Sequence, residues 1–202
     1  NIAGNADFSS GTANFISLSF NAADAKPYVA YQDGANSGKA TVKFLAPDNA
    51  WTTIGTEGFS TGSASYTSLA ISTTGTPYIA YADADVTFSN RVIVKSFNGS
   101  SWVNTGAQPI SVGSASFVSL ALSPGGTPYV AYNDADVSIG NKAIVKTYNG
   151  SSWVNLGTQP VSAGVATHIV LGIAPGSGNP YICYADASNS NKATVKTYDG
   201  AA

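Results

Sequence analysis

The pentapeptide Pro-Tyr-Val-Ala-Tyr at residues 27–31 returns, with small apolar changes, at 77–81, 128–132 and 180–184, at intervals of 50, 51 and 52 residues. The chain is one unit written four times. A unit of about 50 residues made of short strands has the period of a β-propeller blade. The expected fold is therefore all-β: a four-bladed β-propeller with four antiparallel strands per blade. The repeats run approximately over 5–55, 56–106, 107–157 and 158–202 plus 1–4, within one domain spanning 1–202.

In the third repeat, Ser116 to Ser123 reads as a first strand and is stopped by Pro124-Gly125-Gly126. Pro128 to Tyr132 reads as a second strand, because proline is tolerated where its missing N–H need not join the ladder. Side chains alternate along it, so Tyr129 and Ala131 share one face while Val130 and Tyr132 share the other. Both faces are apolar, so this strand must be covered on two sides by neighbouring copies. Lys142 to Tyr148 makes a third strand, Asn149-Gly150 supplies the dipeptide favoured for a two-residue hairpin turn, and Ser152 to Leu156 makes a fourth. That last strand carries Trp153, matched by Trp51 and Trp102.

The chain ends align with parts of the same strand. Asn1-Ile2-Ala3 correspond to Val154-Asn155-Leu156, and Ala201-Ala202 to Ser151-Ser152. The expectation is a ring closed by the N-terminal residues joining the last blade's outer strand, which removes an open edge. The alternative is four blades cut from a larger propeller. A start at Asn1 without Met marks a processed protein or an excised piece.

Only 10% of the residues are charged and the net charge is -2, which leaves no basic footprint for nucleic acid or an anionic membrane. No stretch is apolar for long enough to span a bilayer. Cys183, the single cysteine, excludes an internal disulfide and a multi-thiol metal site. It stands where the other repeats have alanine, so it reads as a small buried residue. The Ser, Thr, Gly, Asn and Ala richness suits a secreted or cell-surface protein.

The frame Ser119 to Tyr132, Ser-Leu-Ala-Leu-Ser-Pro-Gly-Gly-Thr-Pro-Tyr-Val-Ala-Tyr, continues in Ile144 to Asn155, Ile-Val-Lys-Thr-Tyr-Asn-Gly-Ser-Ser-Trp-Val-Asn. It resembles the repeats of bacterial secreted and surface β-propellers, a wider group that includes NHL-type blades. The resemblance covers the whole chain and implies extracellular binding or display without naming a ligand. Residues 96–102 are also similar to the Asp-box hairpin of sialidase-like propellers, one residue shorter and with Asn for Asp. Such sialidases grip the substrate carboxylate with three arginines; this chain has Arg91 alone, so that activity is excluded.

Asp33, Asp83, Asp134 and Asp186 follow the second strand in every repeat, and Lys39, Arg91, Lys142 and Lys192 open the third. Cross-hairpin pairing or turn capping accounts for such four-fold recurrence. Blades two and three lengthen this loop into Asp83-Ala84-Asp85 and Asp134-Ala135-Asp136 with a later Asn, a spacing that offers oxygens to Ca²⁺ but lacks the bidentate Glu of strong calcium loops. Val86, Phe88, Val137 and Ile139 put apolar side chains on these loops, either as a contact patch or packed on adjacent loops. This loop face is the expected binding face. Trp51, Trp102 and Trp153 either stack on sugar rings or cover blade edges. His168 replaces Phe15, Tyr66 and Phe117, and reads either as packing in an aromatic slot or as a place where function has been added to the repeat.

No nucleophile triad or phosphate loop stands out, and no cofactor is implied. The expected function is non-enzymatic extracellular recognition of carbohydrate through equivalent sites, with ligand contacts drawn from Asp83, Asp85, Phe88, Asp134, Asp136, Ile139, Trp51, Trp102, Trp153 and His168. The alternative is a structural or protein-interaction propeller.

Overall fold

A computed structural model describes residues 3–5 and 7–200. Each repeat folds as its own antiparallel meander. Blade one contains β1 (Ala13–Phe20), β2 (Pro27–Asp33), β3 (Lys39–Leu45) and β4 (Trp51–Thr53). Blade two contains β5 (Ala64–Ile71), β6 (Pro77–Asp83), β7 (Arg91–Phe97) and β8 (Trp102–Asn104). Blade three contains β9 (Ala115–Leu122), β10 (Pro128–Asp134), β11 (Lys142–Tyr148) and β12 (Trp153–Asn155). Blade four contains β13 (Ala166–Ile173), β14 (Pro180–Asp186) and β15 (Lys192–Thr197). Spatial order follows chain order in every sheet.

The two-sided apolar second strand does what its pattern requires. Tyr31, Tyr81, Tyr132 and Tyr184 are all buried, and three separate apolar clusters fill the three seams between consecutive blades. The first strands line up side by side, β1 on β5, β5 on β9 and β9 on β13. Two hydrogen bonds recur at the seams. Ser17, Ser68 and Ser119 Oγ accept from the backbone N–H of Leu69, Leu120 and Leu171 in the next blade, at 3.0, 2.9 and 2.9 Å. The Trp102 and Trp153 indoles donate backwards to the carbonyls of Ile54 and Thr105, at 2.9 and 2.7 Å.

Trp51 makes the same bond to the Ala3 carbonyl at 3.1 Å, and Phe8 stacks on its ring at 4.5 Å. The N-terminal segment thus lies on blade one as the tail of a preceding blade would. The expected closure is not found among the described residues: blade four has three strands, and apolar side chains on β1 and β15 stand exposed. Asn1, Ile2, Ala201 and Ala202, on which that expectation also rests, lie outside the described residues.

Two local features differ from expectation. The Asn-Gly dipeptides do not form two-residue turns, since Phe97 pairs with Trp102 across a four-residue loop. Of the two central residues only Gly99 has positive φ, +97°, whereas the expected turn needs both. The Asn98 carboxamide closes the loop instead, its Oδ1 accepting from the N–H groups of Ser100 and Ser101. The first strands also carry a bulge, between Asn14 and Ser17 in β1, which places Phe15, Tyr66, Phe117 and His168 at φ 47°, 54°, 52° and 54°.

Candidate functional site: inter-blade clefts and the aspartate-loop face

At one end of every blade the loop leaving the second strand meets the loop leading into the first. In blades two, three and four the repeated aspartate joins them. Asp83 Oδ1 accepts from the N–H of Gly62 and Asp85, and Oδ2 from Thr61. Asp134 does the same for Val112, Gly113 and Asp136. Asp33 is held by Ala35, Asn36 and Thr41, and Asp186 by Gly164 and Ser188. All four residues are buried. Turn capping, one of the two sequence readings, accounts for them. The ion pairs among described residues lie elsewhere, Lys26–Asp24 at 3.0 Å and Lys43–Glu57 at 2.8 Å, although each aspartate sits opposite Lys39, Arg91, Lys142 or Lys192 in register.

Asp85 and Asp136 are half-exposed, and each binds its own loop through the N–H of Thr87 or Ser138. Hydrogen bonds from Thr87 and from Ser138 hold these two carboxyls below the usual range. The Asp-x-Asp pairs are therefore successive turn caps, and no group of three metal-ligating carboxylate, His or Cys side chains occurs among the described residues. Phe88 and Ile139 fold back onto the seam clusters, leaving Val86 and Val137 90% and 97% exposed at the tips.

Trp102 is 8% exposed, stacked on Phe59 at 4.7 Å with Phe97 tilted against it at 5.5 Å, so little of its ring is open to a ligand. Trp51 and Trp153 are half-buried beside Phe8 and Tyr148. Trp102 and Trp153 latch consecutive blades, and Trp51 latches the N-terminal segment onto blade one. His168 ends a row of rings along the aligned first strands: Phe15, Tyr66, Phe117 and His168 follow one another at 4.9, 5.5 and 5.3 Å. These candidates are thus dispersed: capping aspartates and valine tips at one end, latching indoles at the outer strands, and His168 on the inner strand.

The concave space lies at the opposite end of the blades, a location that no single repeat could disclose because each cleft has walls from two repeats. One cleft of about 360 Å³ opens between Tyr28 and Phe44 of blade one and Pro77 and Phe97 of blade two. A second, of about 420 Å³, lies between Tyr78 of blade two and Pro128 and Tyr148 of blade three. The third, about 450 Å³, has Pro180 and Tyr198 of blade four on one side. The proline that starts the second strand and the aromatic at the end of the third recur in all three. The third cleft runs deeper, to Leu156 and Leu171, because no indole of blade four plugs that seam among the described residues. Cavities of this size fall in the range that holds small organic ligands.

No family model matches this chain, and no curated protein matches it. Solved structures do. A six-bladed propeller, the lectin of Aleuria aurantia described with a novel mode of fucose recognition, is 16% identical with a TM-score of 0.61, over 93% of this chain and 60% of that one. A protein of unknown function from Dyadobacter fermentans is 12% identical with a TM-score of 0.59, over 86% of this chain and 57% of that one. An endo-1,4-β-xylanase from Bacteroides thetaiotaomicron is 14% identical with a TM-score of 0.55, over 98% of this chain and 81% of that one. This chain spans less than two thirds of the first two. At these identities the likeness establishes the fold, an all-β protein of propeller type built from four antiparallel sheets. Among the described residues no helix is long and apolar enough to cross a membrane.

Proposed function

We propose that this chain is a non-enzymatic, extracellular carbohydrate-binding propeller whose ligands sit in the clefts between blades. The observation that carries the reading is the recurrence of one cleft at three seams, each offering an aromatic edge, a proline and glycine- or threonine-bearing turns. Aromatic rings give the C–H faces of a pyranose an apolar platform, while nearby hydroxyl and backbone groups meet its hydroxyls. Several weak equivalent sites on one rigid body suit multivalent glycan display. A fucose-binding lectin among the structural neighbours, that of Aleuria aurantia, supports the sugar class. Glycoside hydrolysis ordinarily needs two carboxyl groups flanking the bond, and the described residues lining these clefts include no Asp or Glu.

Calorimetric titration with fucosides and with xylo-oligosaccharides tests this. The expected result is weak binding at more than one equivalent site, with Phe97→Ala and Tyr148→Ala each removing one site and leaving the fold intact. Unchanged stoichiometry in both variants would move the ligand off the clefts.

A protein-interaction role is the second reading, and the bare tips Val86 and Val137 favour it. Val86→Ser with Val137→Ser would then abolish partner capture and leave sugar binding unaltered.

A further inference from the structure

Two hairpin loops present the same dipeptide to solvent. Asn98-Gly99 and Asn149-Gly150 stand exposed at equivalent places in blades two and three, between the third and fourth strands. In each loop one oxygen collects the donors. Asn98 Oδ1 accepts from the Ser100 N–H at 3.0 Å, the Ser101 N–H at 2.9 Å and the Ser100 hydroxyl at 3.0 Å. Asn149 Oδ1 accepts from the Ser151 N–H, the Ser151 hydroxyl and the Ser152 N–H at 3.0, 3.0 and 2.9 Å. The N–H groups of Gly99 and Gly150 donate to no group among the described residues, and a Cβ placed on either glycine would meet nothing within 4 Å.

We propose that Asn98 and Asn149 are self-modification sites, each converting to aspartate and isoaspartate in the folded protein. The Gly99 nitrogen gives its proton to hydroxide and bonds to Asn98 Cγ, closing a small ring. Negative charge gathers on Oδ1 in this step, where the three donors already point. The Cγ–Nδ2 bond then breaks, Nδ2 takes a proton from water and leaves as ammonia, and a succinimide remains. Water opens that ring at either carbonyl, giving an ordinary aspartate or a β-linked isoaspartate. Glycine leaves the attacking nitrogen without a side chain in the way, and none of the other asparagines precedes glycine. Asn133 Nδ2 is held by two backbone carbonyls and Asn36 Nδ2 by Asp33, so neither amide is free to leave. Blade four already carries the product: Asp199-Gly200 occupies the same place, with Gly200 at φ +92° against +97° and +95° for Gly99 and Gly150. The loop therefore admits an aspartate while its glycine keeps its conformation. Each conversion adds one negative charge to a chain of net charge -2. Asn149 and Gly150 also line the second cleft, so that carboxylate arises at its lip. An effect on sugar binding rests on the carbohydrate reading, whereas the conversion itself does not.

Intact-mass and peptide-mapping mass spectrometry of the folded chain, aged in mildly alkaline buffer, tests the inference. The expected result is the small mass gain of amide-to-acid exchange at Asn98 and Asn149 ahead of every other asparagine. Isoaspartate should be among the products, and the rate should rise with hydroxide concentration. Asn98→Asp with Asn149→Asp supplies the product form, which should keep the parent circular dichroism spectrum and show no further gain at either site. Ser100→Ala with Ser151→Ala removes one donor from each amide oxygen, and conversion several-fold slower is expected at an unchanged spectrum. Both asparagines intact in the folded chain, over a time in which the urea-unfolded chain converts, would overturn the inference. So would conversion spread evenly over the asparagines, or a serine variant that reacts at the parent rate.

Discussion

Trp102 joins two blades with one side chain, its ring against Phe59 and its N–H on the Ile54 carbonyl. Trp102→Phe keeps most of the ring and loses the bond, an expected cost of about 1 kcal/mol; Trp102→Ala empties the site and should cost about 3–5 kcal/mol. Urea midpoints of the two variants check both values. Asp83 is a second such residue, because its carboxylate receives three backbone N–H groups inside the protein. Asp83→Ala would strand those donors and destabilise by about 3 kcal/mol, whereas Asp85→Ala, at a half-exposed turn, should cost less than about 1 kcal/mol. Added Ca²⁺ is expected to leave the melting temperature unchanged, and a rise would return the Asp-x-Asp loops to the role of ligands.

The hairpin between third and fourth strands depends on one glycine. Gly99 has φ of +97°, so Gly99→Ala should lower stability by at least about 1 kcal/mol in the same urea assay. Strands were legible because alternation and the initial proline survive in every copy: β11 spans the residues its pattern predicts, and β10 runs two residues beyond Tyr132, to Asp134. The turn was not, since Asn-Gly also permits a loop that the Asn98 side chain closes itself. Nor was the bulge, because aromatic residues seldom adopt positive φ and nothing around Phe15 or Tyr66 announces it. The clefts were legible only as separate walls. Tyr78 and Tyr148 are visible as repeated aromatics, but their meeting across a seam is a property of blade packing.

Across the whole molecule, the buried second-strand tyrosines set an alkaline limit. Burial, reinforced by the neighbouring aspartates, pushes Tyr31, Tyr81, Tyr132 and Tyr184 upward. The folded state holds their protons where the unfolded chain releases them near pH ~10, so this stability is full below that pH and lost as pH rises beyond it. The depressed carboxyls of Asp85, Asp136 and Asp186 act in the opposite sense: their contribution is present above the ordinary carboxylate range and lost as pH falls through their lowered values. Urea midpoints measured against pH should therefore form a plateau with a shoulder at each end. The fold thus supplies a stable body whose polar recurrences mostly cap turns and whose recurring free space lies between blades. A glycan-array screen of the purified chain beside Phe97→Ala/Tyr148→Ala tests that assignment most directly. Reproducible binding by the parent chain that the double variant largely loses is the expected result; silence of the parent chain across the array, or equal binding by the variant, would overturn the cleft assignment.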